Sequence, residues 1–315
     1  MKSSATAKKK SISPGAFVAN ELKRHWQLYV MLILPLTYLI IFAYIPMGGV
    51  IIAFKDYSIR GGIWGSDWVG FEHFINFFKT PDFVKLLRNT LILSLYNLVI
   101  TFPMPIILAL AVNELKSKAY KKVVQMVTYM PYFISTVVLV GTMKNIFSPR
   151  TGLINNIIAL FGGAQTDFMG NPDLFRTMYV WSGVWQGMGY SAVIYIAALA
   201  NVDSSQVEAS LMDGAGRFAR VWHVDLPAIM PTIVIQLILA VGSVMSLGYE
   251  KVFLMQNPVN TEVSEVISTF VYKRGIAGFQ YSYSAAVGLF NSVVNLVLIA
   301  LANVFAKKVG ETSLW

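Results

Sequence analysis

Six apolar runs divide the chain: Leu28 to Phe54, Leu91 to Val112, Val123 to Phe147, Met178 to Ala200, Ile229 to Tyr249 and Ala285 to Ala306. Each is long enough to cross a bilayer as a helix, which takes about 20 residues. The pattern predicts an all-α membrane protein with a six-helix domain at 28–309, a basic tail at 1–27 and a short tail at 310–315. An even number of crossings puts both termini on one face. Fourteen of the 25 Lys and Arg lie in 1–27, 113–122, 201–227 and 307–315, and this excess marks that face as cytoplasmic. The expected location is a cell membrane, crossed several times, with both termini inside.

The run starting at Leu28 is too long for a signal-peptide core and has no small-residue cleavage site, so it reads as a retained first span. Prolines interrupt three runs: Pro35 and Pro46, Pro103 and Pro105, and Pro131. In lipid such breaks survive where neighbouring helices pair the freed backbone groups, and both simple kinks and pathway breaks fit. The connections on the outer face are longer, and one holds a short helix at Leu153 to Phe161 that does not span. No internal repeat is visible.

Composition agrees: 56% of residues are hydrophobic and 13% charged, against about 25% charged in soluble domains. With no cysteine, disulfides, thiolate metal sites and cysteine nucleophiles are excluded. His25, His73 and His223 have no partner at metal-ligand spacing. The net charge of +9 comes from lysines beside apolar runs, which suits anionic lipid headgroups better than nucleic acid.

One polar segment between the fourth and fifth runs stands apart, Glu208 to Pro231. Ser205-x-x-Glu208 fits a capping box opening a helix at about Ser205 to Met212. Gly214 can take the positive φ that ends it. A second helix is expected from about Ala215 to Val224, with Pro227 in the first turn of the next span. Phe218, Val221 and Trp222 form an apolar stripe flanked by Arg217 and Arg220. The stripe fits a partner's groove, the membrane interface or the protein's own bundle equally well.

Glu208-Ala209-Ser210, Asp213-Gly214-Ala215, Leu226-Pro227 and Pro231 resemble the cytoplasmic loop of binding-protein-dependent ABC importer permeases. Ser210 replaces the usual alanine. The resemblance implies a type I, maltose-permease-like fold. It also implies that the loop at 201–227 holds coupling helices seated on an ATPase, through Glu208, Ala209, Ser210, Asp213, Gly214, Ala215, Arg217, Phe218, Val221, Trp222 and Pro227. The chain has no phosphate-binding loop of its own. ATP and Mg²⁺ would therefore sit on two separate ATPase subunits, with no cofactor, metal or catalytic residue here. A second homologous permease, giving a heterodimer, and an extracytoplasmic solute-binding protein complete the implied assembly.

The flanks narrow the resemblance. Gly70 to Leu91, with Phe71, Phe74, Phe77, Pro81, Phe83, Asn89 and Thr90, looks like sugar-uptake permeases. "YMPYFIS" and the ending "GETSLW" resemble the branch taking up oligosaccharides such as alginate or rhamnogalacturonan fragments. Sugar passage asks for hydroxyl-pairing groups and aromatic faces. Candidates are Tyr132 and Ser135 in the third run, Trp181, Trp185, Gln186 and Tyr190 in the fourth, and Ser243, Ser246 and Glu250 in the fifth. Each residue type also serves as helix glue or interface anchor. An ABC permease for another solute is the alternative. An ion-coupled carrier is disfavoured by the lack of mid-span charge and repeats, and an enzyme by the lack of a catalytic constellation.

Overall fold

The computed structural model describes residues 14–310, mostly as helix. The principal helices are α1 (Lys23–Phe54), α2 (Phe83–Asn113), α3 (Lys118–Phe133), α4 (Thr136–Ile146), α5 (Pro172–Leu199), α6 (Arg217–Gly242) and α7 (Tyr281–Lys308). Among the described residues α1, α2, α6 and α7 are long and apolar enough to span, and α3 with α4 makes a fifth crossing only if counted as one bent unit. The fourth expected span, α5, has 28 residues, ample length, but falls short in apolarity. The reason is its position: it packs against α2, α3 and α6 and buries Tyr179, Val184, Ala192 and Tyr195. A helix shielded by protein can carry polar groups that a lipid-facing helix cannot. α1 is the opposite case, apolar from Leu28 onward, with no buried residue in its most apolar window.

Two expected spans are broken. The third run bends by 97° between α3 and α4. Pro131 lacks an N–H, Ile134 and Ser135 are extended, and the Ser135 hydroxyl accepts from Val138 N–H at 3.3 Å to start α4. Gln186 of α5 donates Nε2–H to the freed Ile134 carbonyl at 2.7 Å. The fifth run, expected to reach Tyr249, stops at Gly242; after a non-helical stretch at 243–248 a short helix runs Tyr249–Met255. Two asparagines of α7 pair the released groups. Met245 N–H donates to Asn295 Oδ1 at 3.0 Å, Asn295 Nδ2 donates to Ser246 Oγ at 2.7 Å, and Asn291 Nδ2 donates to the Met245 carbonyl at 3.2 Å.

Close approach of α3 to α5 rests on Gly189, where a Cβ would collide with the Thr128 carbonyl. At one end of the bundle a small layer covers the helices. A two-residue hairpin pairs Lys55 with Trp68 and Asp56 with Asp67. Phe77 is buried against Phe83, Phe270, Tyr283 and Phe290. The expected short helix is present, at Leu153–Leu160. Asn89 and Thr90, singled out with the sugar-permease pattern, are fully buried staples here. Asn89 Nδ2 donates to the Glu262 and Glu265 carbonyls and Ile267 N–H donates to Thr90 Oγ1.

Replacing Asn295 with Leu strands the Met245 amide and should cost about 1–3 kcal/mol, read as a lower thermal midpoint of the detergent-solubilised protein. Gly189→Val forces α3 from α5 and should cost about the same or more. A midpoint unchanged in either variant contradicts the packing described.

Candidate functional site

A cavity of about 920 Å³ opens between α2, α5, α6 and the non-helical 243–248 stretch. α2 contributes Ser94, Asn97 and Thr101; α5 contributes Tyr179, Tyr190, Ser191 and Tyr195; α6 and its continuation contribute Gln236, Ser243 and Ser246. Among the described residues no charged side chain lines it. Hydroxyls, amides and phenols offer paired donors and acceptors, and the rings offer flat apolar faces. Across Ser246 and Leu247 lies a second, more apolar cavity of about 560 Å³. The broken end of α6 is the wall between the two.

The sequence candidates separate on this geometry. Tyr190, Ser243 and Ser246 line the larger cavity. Tyr132 stacks on Tyr190 at 3.9 Å between ring centroids and 6° between planes, so it borders the same space. Gln186 and Ser135 are engaged in the α3–α4 break. Trp181 and Trp185 are half exposed. At 3.6 residues per turn Trp181 lies about half a turn around α5 from Tyr190, facing away from the cavity. Glu250 is exposed in the first turn of Tyr249–Met255. The helical spacing that grouped it with Ser243 and Ser246 does not hold, because the backbone between them is not helical. Ser94, Asn97 and Thr101 were missed, although i, i+3 and i+7 in an apolar run is the signal used elsewhere.

The polar segment stands at the bundle end opposite the hairpin layer. A helix spans Ser204–Met212, carrying Glu208 and Ala209 exposed and Ser210 half-buried. Its cap differs from the expected capping box at Ser205. Asp203 Oδ1 accepts from Ser205 N–H at 2.9 Å, and hydrogen bonds from Ser205 hold the Asp203 carboxyl below the usual carboxylate range. Gly214 has φ +78°, and Ala215 N–H closes the turn onto the Ser210 carbonyl at 2.9 Å. Asp213 and Gly214 are exposed and Ala215 is half-buried.

The second helix starts at Arg217 and does not end before Pro227. It is the first turn of α6, and a π-helical turn at Val221–Asp225 carries it into the Leu226–Gly242 stretch. The wider turn makes room for the Pro227 ring, which would clash with the carbonyl four residues back in a regular α-helix. Phe218 is 93% and Trp222 67% exposed, beside Met212 at 88%; Val221 is half-buried and Arg217 exposed. The expected stripe therefore projects from the bundle at the tip of this segment. Arg220 turns inward and forms an ion pair with Glu114 at the end of α2.

Comparison with known proteins gives this geometry a context. The chain is 48% identical over 294 residues to Protein LplB of Bacillus subtilis (strain 168), covering 93% of this chain and 92% of that one. It is 45% identical over 288 residues to the polygalacturonan/rhamnogalacturonan transport system permease protein YteP of the same organism, covering 91% and 90%. A chain in the crystal structure of a bacterial ABC transporter that imports the acidic polysaccharide alginate superimposes with a TM-score of 0.85 at 36% identity, covering 93% of this chain and 99% of that one. Residues 89–311 match the family described as binding-protein-dependent transport system inner membrane component, and the chain belongs to that family, as an ABC importer permease.

Proposed function

We propose that this permease forms part of the path for an oligosaccharide handed over by an extracytoplasmic binding protein. The observation that carries the substrate class is the large uncharged cavity, rich in hydroxyl, amide and phenol groups. Such a lining pairs sugar hydroxyls in many orientations, while Tyr190 and its stacked neighbour Tyr132 offer faces for pyranose rings. Relatives named for polygalacturonan, rhamnogalacturonan and alginate support the reading. So does a crystal structure of a bacterial alginate ABC transporter in complex with an alginate pentasaccharide-bound periplasmic protein, one chain of which matches this one at 36% identity with a TM-score of 0.85.

The mechanical part of the proposal concerns the exposed tip. The Ser204–Met212 helix, the Gly214 turn and the Phe218–Trp222 face dock in a groove of a cytoplasmic ATPase subunit, which binds ATP and Mg²⁺ in place of this chain. Two such ATPases and a second, homologous permease complete the importer, with this chain's termini on the ATPase side. Exposed aromatics this large, flanked by Arg217, suit a desolvated protein groove.

Reconstitution with the partner permease, ATPase and binding protein should give oligosaccharide uptake that requires hydrolysable ATP; uptake without any ATPase defeats the proposal. Phe218→Ala removes a ring that supports little of the fold, so it should weaken ATPase co-purification about tenfold, or about 1.4 kcal/mol, with membrane insertion intact. In the cavity, Asn97→Leu and Gln236→Leu should lower uptake about tenfold while ATPase association stays normal. Equal loss for an unrelated solute would remove the sugar assignment.

A further inference from the structure

The loop at 201–227 is joined to the bundle in an unequal way. It runs covalently into α5 and α6, and Val202 and Leu226 pack on the apolar cluster beneath. Its outer side chains, Met212, Phe218 and Trp222, stand away from the bundle. α2 has no covalent link to it, yet Arg220 Nη2 reaches Glu114 Oε1, 106 positions earlier, just past the last turn of α2. The two side chains are only 18% and 17% exposed. Arg220 Nε also lies 3.9 Å from Asp225 Oδ2, whose side chain is 3% exposed. That oxygen has no hydrogen-bond partner, so Arg220 is the one cation within ion-pair distance of both carboxylates among the described residues.

We propose that Arg220 is a positioning residue for transport: through Glu114 it fastens the loop to α2, so that loop and α2 move as one body. The proposal rests on the docking reading of the loop given above. Its consequence lies one helix length away. α2 carries Ser94, Asn97 and Thr101 in the cavity wall, so a displacement of the loop reaches that wall through a helix the loop does not continue into. The chemistry suits a joint that must not slip. A guanidinium against a carboxylate, shielded from water, is directional and strong. Opening it would leave Glu114 and Asp225 close together without a counter-charge, which is strongly unfavourable. Asp225 has a separate role, balancing Arg220 at the π-helical turn where the loop enters α6.

The test uses the complete importer in proteoliposomes and reads uptake per ATP hydrolysed, alongside ATPase co-purification. Arg220→Met and Glu114→Gln should each keep the ATPase bound yet lower uptake per ATP about fivefold or more. The double variant should be no worse than Arg220→Met, because the two residues act as one unit. Arg220→Lys should recover part of the loss. Adding Asp225→Asn to Arg220→Met should raise the yield of folded complex without restoring uptake per ATP. If Arg220→Met fails to assemble, Glu114→Gln, which leaves Arg220 beside Asp225, carries the same comparison.

Unchanged uptake per ATP in Glu114→Gln, additive losses in the double variant, or full rescue by Asp225→Asn would each overturn the proposal. Loss of ATPase binding in Arg220→Met/Asp225→Asn would also overturn it, by making Arg220 a docking contact. Failure of the docking reading is seen separately, as normal ATPase binding in Phe218→Ala.

Discussion

Everything in this fold depends on pairing the backbone groups that broken helices release. Water is absent at membrane depth, and an unpaired N–H or C=O there costs several kcal/mol. The protein solves this with side-chain amides. Gln186 serves the break between α3 and α4, and Asn291 and Asn295 serve the end of α6. In the connections between spans the same device recurs: Asn89 serves the 262–265 turn, and Asn257 and Asn260 both donate to the Met169 carbonyl. An amide offers donors and acceptors together and carries no charge, so it replaces water without the desolvation cost of an ion. The break at the end of α6 opens onto the larger cavity, and the other, between α3 and α4, sits beside the Tyr132–Tyr190 pair that borders it. The amides therefore allow a polar chamber to exist inside an apolar bundle.

This constraint explains what the sequence could show. Hydropathy reports contact with lipid more directly than it reports crossing. α1 and α7 were plain because their surfaces are apolar almost all round. α5 was placed with a late start because Asn171, Pro172 and Asp173 form a polar cap, and its core is protein rather than lipid. The break in the third run was hinted at by Pro131 but not located, and the one at the end of α6 was not foreseen, since the amides that support them lie on other helices, 52 and about 50 positions away. The glycine turn and aromatic stripe of the loop were legible because local spacing alone defines them. The cap was not, because Asp203, Ser204 and Ser205 are all good capping residues and only geometry selects Asp203. The cavity was read in part. Helical periodicity finds neighbours while a helix continues, which favours Tyr190 and fails for Glu250. It cannot say which face of α5 looks inward, so Trp181 and Trp185 were grouped with residues on the other side.

The pairing of Glu114 with Arg220 shows the remaining gap. Each residue is ordinary in its own stretch, one ending an apolar run and the other flanking an aromatic stripe. Their meeting depends on how α2, α5 and α6 pack around Ala109, Ala192, Tyr195 and Ile229, which no local pattern encodes.

In the proposed role, the strength of interactions along α2 follows what each end must do. A transport chamber has to hold its cargo weakly enough to let it leave. A neutral hydrogen bond exchanged for one to water nets only about 0.5–1.5 kcal/mol. Ser94, Asn97 and Thr101 thus present a surface that a sugar can cross in small steps, whereas a buried charge in the wall would create one deep well. At the far end of the same helix the requirement reverses. A joint that carries force must not exchange partners, and there the protein places a partly buried ion pair. A chamber without charge and a lever root with it are two answers, set along one helix, to whether a contact should yield.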